Sequence, residues 1–326
     1  MAQTNNPIFL TNSEISVGIL PNIGGRIVYF GTQASENFLK SDIAQWAEAD
    51  EDLIKPSPFS DFKAYNGFIT WIGPQSEWWT HQNLNLDRLN KKSNWPPDPY
   101  LIYGAYQITS HTDSSITLIG PPSPISGMQL YKTYYLKDNS LYISISAKNI
   151  TDKKRGVDIW ANARFDGFTK HMIPASSNEI KRIEVRNNPQ YEGVKYSTEQ
   201  NMFSFIPEFP TYSKKERSAK AFINNKIGEI YAVKNNYCLL MSFDSIPIEQ
   251  IHSEHAFIEV YNRISHDSND NLLELEHHSP YKILKPGDKM DLHIKWTLFK
   301  AEKPFDKDDL RNCQNFMDIL NERRKH

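Results

Sequence analysis

The sequence is poor in cysteine, with two in 326 residues, Cys238 and Cys313. Two thiols that far apart, with no CxxC or other metal spacing, exclude a disulfide scaffold and a thiolate metal centre, and both read as small buried hydrophobes. Long apolar runs are missing too. The longest are a few residues, against the ~20 a helix needs to cross a bilayer, so a soluble protein with no membrane partner is expected. Charge of one sign is lacking: 37 Lys and Arg face 39 Asp and Glu, for a net charge of -2. With no basic run to track a phosphate backbone, nucleic acid is not an expected partner. There is no internal repeat and no Gly/Ser-rich or Pro-rich stretch to divide the chain, so one domain over 1–326 is expected. Residues 1–12 have neither the basic start nor the apolar core of a secretory signal. The expected location is cytoplasmic, or periplasmic if a leader was removed ahead of Ala2.

What is abundant is aromatic and strand-forming. The chain holds 17 Phe, 16 Tyr and 7 Trp, ample material for a packed core. Period-two alternation recurs at Ile15, Val17 and Ile19, at Leu141, Ile143, Ile145 and Ala147, at Ile183 and Val185, and at Met290, Leu292, Ile294, Trp296 and Leu298. Three further runs, 229–233, 237–243 and 257–261, read the same way. Turn residues separate them, as in Asn22-Ile23-Gly24-Gly25 and Lys285-Pro286-Gly287-Asp288. Many short strands with regular turns predict an all-β sandwich or barrel. The one persuasive helix, about 306–324, has an acidic first turn and Leu310, Cys313, Met317 and Leu320 at helical spacing. Residues 36–62 and 76–100 are polar, proline-bearing and weakly periodic, which predicts long loops of the kind that carry function on a β scaffold.

Three segments carry chemistry. The run from Asn66 to Trp79 sets Trp71, Trp78 and Trp79 beside Gln75 and Glu77, with His81 just beyond. A sugar ring offers an apolar C–H face and a rim of hydroxyls, so its site combines flat aromatics with amides, carboxylates or guanidinium. The same tryptophans would equally serve as core between sheets. Next comes Trp95-Pro96-Pro97-Asp98-Pro99, a proline-stiffened loop suited to a pocket rim or a structural lid. The third is Leu273-Glu274-Leu275-Glu276-His277-His278-Ser279-Pro280. Alternation puts Leu273, Leu275 and His277 on one face and Glu274, Glu276 and His278 on the other. Two carboxylates and an imidazole on one surface can tune each other toward acid/base work, or simply form salt bridges to lysines. His252, His255, His277 and His278 lack a metal spacing such as HExxH, so no metal and no cofactor is expected.

Taken in order, Gly24-Gly25-Arg26-Ile27, Gly73-Pro74-Gln75 with Trp78, the Trp95–Pro99 loop, Met128-Gln129-Leu130 to Thr133, Trp160, and the Leu273 to Gly287 segment leading to Trp296 resemble an uncharacterised bacterial family. That family is related to the galactose mutarotases, or aldose 1-epimerases, and the resemblance runs from about residue 14 to 300. It implies a β-supersandwich of two large antiparallel sheets with a concave face for a sugar or oligosaccharide. It also implies a late-strand glutamate that takes the anomeric proton and a histidine that protonates the ring oxygen. The glutamate matches Glu276, which lies nearer Pro280, with Glu274 as the alternative. The histidine position is held by Asn162, which has no acidic proton to give, leaving His81 or His278 to substitute. Asp158, Trp160, Asn162 and Arg164 on that strand, with Arg26, Trp71, Gln75 and Trp78, are the implied ligand contacts. The expected function is carbohydrate binding with epimerase-like acid/base activity, the alternative a noncatalytic accessory module of polysaccharide metabolism.

Overall fold

The computed structural model describes residues 6–33, 36–42, 55–211 and 213–300. The helix expected at 306–324, and Cys313 with it, lie outside the described residues. The strands form two large sheets. The first runs β1 (Ile8–Thr11), β2 (Ser16–Leu20), β3 (Arg26–Gly31), β4 (Phe68–Gly73), β9 (Arg155–Phe165), β19 (Leu272–His278), β18 (Ile258–Ile264), β15 (Glu216–Ile223), β11 (Ile180–Val185). Two short strands join it, β12 (Tyr191–Glu192) along β15 and β20 (Lys282–Leu284) along β9. The second runs β13 (Lys195–Ser197), β14 (Met202–Ile206), β10 (Lys170–Pro174), β16 (Glu229–Lys234), β17 (Tyr237–Phe243), β21 (Lys289–Lys300), β8 (Ser140–Asn149), β7 (Met128–Lys137), β6 (Ser115–Ile119), β5 (Gln107–Thr112). All pairings but that of β12 with β15 are antiparallel. The sandwich expected from the alternation is the architecture found, and among the described residues no helix is long and apolar enough to cross a membrane.

The main core lies between the sheets. The first contributes Ile159, Ile258, Val260, Leu273 and Leu275, and the second Ile143, Ile145, Ile294 and Trp296, all fully or nearly fully buried. His277 faces the same way, its ring stacked on Phe243 at 3.9 Å, and burial, with His278 adding to it, lowers its pKa to about 3. It is a packing residue, neutral at physiological pH.

A second apolar cluster covers the opposite face of the first sheet. Ile69, Trp71 and Trp160 on β4 and β9 meet Trp78, Trp79, Ile102 and Tyr103 from the segment between β4 and β5. The stretch 76–100, read as a long loop, contains one five-residue helix, α1 (Leu86–Asn90), capped by Asn85, and the start of a second, α2 (Pro99–Tyr103), capped by Asp98. Because this roof closes over it, the middle of the first sheet is buried on both faces: every residue of β4 is buried, as is β9 from Val157 onward and β19 from Leu273 onward. The polar face of β19 is therefore an interior surface, where charged groups persist only with partners.

The Gly24-Gly25-Arg26 turn locks the roof to the sheet. Gly24 has φ +72°, and a Cβ there would lie 2.3 Å from the Ile102 carbonyl oxygen, so only glycine fits. Arg26 then donates to the carbonyls of Ile23 (3.0 Å), Asn66 (3.0 Å) and Ile102 (2.7 Å). Lys132 and Tyr134 from β7 reach the carbonyls of Gly24 and Gly25 at 2.7 and 2.6 Å. Expected as a ligand contact, Arg26 has three of its donors on backbone oxygen, and it is a structural tie.

Candidate functional site

Register assembles the site. On the roofed face of the first sheet, Asn162 of β9 lies opposite Glu276 of β19, Arg164 opposite Glu274, and Trp160 opposite His278. One strand further, Glu259 of β18 faces Glu276 and Tyr261 faces Glu274. On the other side Trp71 of β4 pairs with Trp160, and Gly73 with Asp158. A Cβ on Gly73 would sit 2.5 Å from the Asp158 carboxylate, so the glycine gives that carboxylate its place. The alternation expected along β19 is the one observed.

The side chains link into one chain of opposite charges. His278 Nδ1 lies 3.0 Å from Asp158 Oδ1, and its Nε2 lies 3.4 Å from Glu259 Oε1. Glu259 Oε1 also accepts from the Ala256 N–H and lies 3.1 Å from His255 Nδ1. Lys220 of β15 places its ammonium 2.6 Å from Glu259 and 2.8 Å from Glu276. The far oxygen of Glu276 accepts from the Asn162 amide at 2.6 Å. Beside this chain stands a separate pair, Arg164 and Glu274 at 2.5 Å. Around it the rings of Trp71 and Trp160 meet edge-on with centroids 4.8 Å apart, and Trp78 and Trp95 complete the wall. Arg164 lies over Phe62 and Trp71, and Lys220 over Trp160. The cluster meets solvent at Lys220, whose side chain is 21% exposed, and at Trp95, 47% exposed.

One ammonium between two carboxylates cannot neutralise both. Burial raises a carboxylate pKa, but Lys220, His278 and His255 together hold Glu259 well below the usual range. Glu276 gets a share of Lys220 and one amide. Burial pushes it up to about 8, with Lys220 opposing and Glu274 and Glu259 reinforcing. Lys220 itself is raised despite burial, by the same two glutamates. Both pKa values rise, which favours the charged lysine but the neutral Glu276, and the two are consistent once Glu259 takes most of the positive charge. Burial alone would lower His278, yet Asp158 and Glu259 raise it to about 9, while burial and its charged neighbour His278 lower His255. One imidazole is thus charged and the other neutral, with ring centroids 4.2 Å apart.

Several buried atoms here have no hydrogen-bond partner: Trp71 Nε1, Trp160 Nε1, Asn162 Oδ1, Asp158 Oδ2 and Arg164 Nε. Asp158, His255 and His278 also bring one donor atom each within 4.8 Å of one another, a set whose composition suits a divalent cation. A proton on His278, set between Asp158 and Glu259, answers the same two carboxylates.

Of the residues expected from sequence, Glu274, Glu276, His278, Asp158, Trp160, Asn162, Arg164, Trp71 and Trp78 fall into this one assembly. His81 instead pairs with Glu77 at 2.8 Å on the partly exposed shoulder of the roof. Gln75 donates to the Asn94 carbonyl at 2.8 Å and steadies the Trp95 loop. Sequence reasoning missed Lys220 and Glu259, and weighed His255 only as a metal ligand. Glu259 shows a signal, alternating with Ile258 and Val260, whereas Lys220 in Ala-Lys-Ala-Phe-Ile looks like any solvent-facing strand residue.

These two sheets and their roofed face define a galactose mutarotase-like fold. A galactose mutarotase-like protein from Lactobacillus casei superposes with a TM-score of 0.60 at 13% identity, over 90% of this chain and all of that one. A galactose mutarotase related enzyme from Lactobacillus acidophilus gives 0.55 at 11%, over 91% and 99%. A galactose mutarotase-like protein from Clostridium acetobutylicum gives 0.55 at 11%, over 90% and 94%. The chain itself belongs to the family described as a domain of unknown function, DUF4380, matched over residues 6–299. No curated protein matches it in sequence.

Proposed function

We propose that this protein binds a carbohydrate against the roofed face of its first sheet and handles it by aldose 1-epimerase-type acid–base chemistry. The observation that carries this reading is the set of partnerless buried atoms among flat aromatic rings, from Trp71, Trp160, Asn162 and Asp158. Each buried polar atom left unpaired costs about 1–3 kcal/mol, and a pyranose meets both needs, its hydroxyls pairing these atoms and its C–H face lying on the tryptophans. The fold shared with mutarotase-like proteins supports the same reading.

In this scheme Glu276 takes the proton from the anomeric hydroxyl as the C1–O5 bond breaks, and His278 gives its proton to O5. Rotation about C1–C2 turns the aldehyde, the O5 hydroxyl attacks its other face, and both protons return to their donors. A pKa of about 8 on Glu276 and about 9 on His278 keeps both groups able to exchange protons near neutrality. The observation favouring a second reading, binding without turnover, is Asn162, an amide where the resemblance expects an acid.

Proton NMR with a panel of neutral aldoses separates the two. Saturation transfer reports binding, and anomer exchange reports turnover. Exchange above the buffer rate that falls at least a hundredfold in Glu276→Gln, with saturation transfer kept, supports the acid–base reading. Saturation transfer without exchange leaves a binding protein, and neither signal for any aldose overturns both.

A further inference from the structure

Lys220 has no counterpart among the residues the resemblance supplies, yet it touches both glutamates at the centre of the site. We propose that Lys220 is a positioning residue for Glu276: its ammonium bridges Glu259 and Glu276, aims the Glu276 carboxylate, and supplies the counter-charge that lets it ionise. The proposal rests on the reading of Glu276 as the proton acceptor.

The geometry supports it from three sides. The Nζ atom lies 2.6 Å from Glu259 and 2.8 Å from Glu276, so one cation holds two carboxylates from adjacent strands in fixed relation. Trp160 lies under the ammonium at 4.7 Å and Phe222 at 5.5 Å, restricting its swing. The Glu276 carboxylate is clamped between Lys220 on one oxygen and the Asn162 amide on the other, at 2.6 Å, so its orientation is set from both ends. Facing Glu276 are Lys220 from β15, Glu259 from β18, Glu274 on its own strand, and Asn162 and Arg164 from β9. Arg164 is engaged by Glu274 at 2.5 Å, and His278 and His255 by Glu259 and Asp158. Lys220 is therefore the cation that contacts Glu276 directly. It is also the most solvent-accessible member of the charged chain, at 21% of its side chain, so a ligand entering over the site changes its hydration first.

The experiment follows Glu276 ionisation by carbon NMR of protein labelled at the glutamate carboxyls, without sugar, its signal assigned by loss in Glu276→Gln. Lys220→Met is expected to raise the titration midpoint by more than one pH unit, a more than tenfold fall in ionised fraction at pH 7. Lys220→Arg restores most of it. Glu259→Gln is expected to move the midpoint down, because the ammonium then serves Glu276 alone and a repelling carboxylate is gone. A merely structural lysine would not move these variants in opposite directions. A midpoint unmoved in Lys220→Met overturns the proposal, and if that variant does not fold, a midpoint unmoved or raised in Glu259→Gln overturns it. Because the readout needs no turnover, a wild-type protein that titrates as expected but exchanges no anomers counts against the epimerase scheme and not against Lys220.

Discussion

Replacing His278 by glutamine should flatten the loss of stability that this protein shows as pH rises. In the unfolded chain an imidazole gives up its proton near pH 6.5, whereas in the fold His278 keeps it to about 9, since Asp158 and Glu259 outweigh the effect of burial. Below pH 6.5 both states carry the proton and the ion pairs contribute in full. Between 6.5 and 9 the unfolded chain has already released it, so each step up in pH favours unfolding, and above 9 the contribution is gone. The gap is worth roughly 3 kcal/mol, at about 1.4 kcal/mol per pH unit. His278 is 1% exposed, so solvent screening takes little from it. At about 2 cal/mol/K of unfolding entropy per residue, a chain of this size loses on the order of 5 °C in Tm from that amount. Glu276 acts in the same direction over an earlier window, from its ordinary 4.5 to about 8. Up to pH 6.5 that slope is opposed by His277 and His255, whose lowered pKa values make stability rise with pH, so wild type should lose Tm chiefly between 6.5 and 8. Differential scanning calorimetry from pH 5 to 9.5 is the assay. His278→Gln should start about 5 °C below wild type at pH 6 and converge with it by pH 9.5. Parallel curves across the range would refute the reasoning, because they would mean that the imidazole packs without carrying charge.

Two further substitutions test the division between tie and wall. Arg26→Met leaves the carbonyls of Ile23, Asn66 and Ile102 without the donors they now have. At about 1–3 kcal/mol for each buried unpaired group, partly relieved by water, a loss of roughly 3–5 kcal/mol is expected, read as a Tm drop of several degrees. Trp95→Ala removes a half-exposed ring that packs on Phe62 at 4.7 Å and lies 6.4 Å from Trp71. Its Tm should change by no more than about 2 °C, while sugar affinity, measured by NMR titration, should fall about three- to tenfold for the loss of one stacking contact worth about 0.5–1.5 kcal/mol.

The two-sheet sandwich was legible because half-buried strands write their period into the sequence, and β7, β8 and β21 alternate almost without fault. The short helices α1 and α2 were not, since five residues span less than two turns and show no 3.6-residue period. Their caps, Asn85 and Asp98, were present but sat in segments whose prolines and polar residues read as loop. Legibility of the site divides along the same line. Residues two apart on one strand, such as Glu274 and Glu276, or Asp158, Trp160, Asn162 and Arg164, share a face by pleat alone, so their assembly could be argued from spacing.

What joins them is not in the spacing. Glu276 meets Asn162, 114 residues earlier, and Lys220 reaches it only because β15 pairs with β18 and β18 with β19. Strand order in a sheet is a tertiary fact, and a lysine between alanines looks the same whether it faces water or two glutamates. The roof adds a second reason. With only one face of β19 buried, Glu274, Glu276 and His278 would be ordinary solvated charges, as their sequence suggests. It is the apolar layer from Trp78, Trp79 and Ile102, held down by Arg26 through backbone oxygens, that takes water away from them. Once dry, each charge needs a neighbour, and the neighbours available on the flanking strands set which carboxylate stays ionised and which can take a proton.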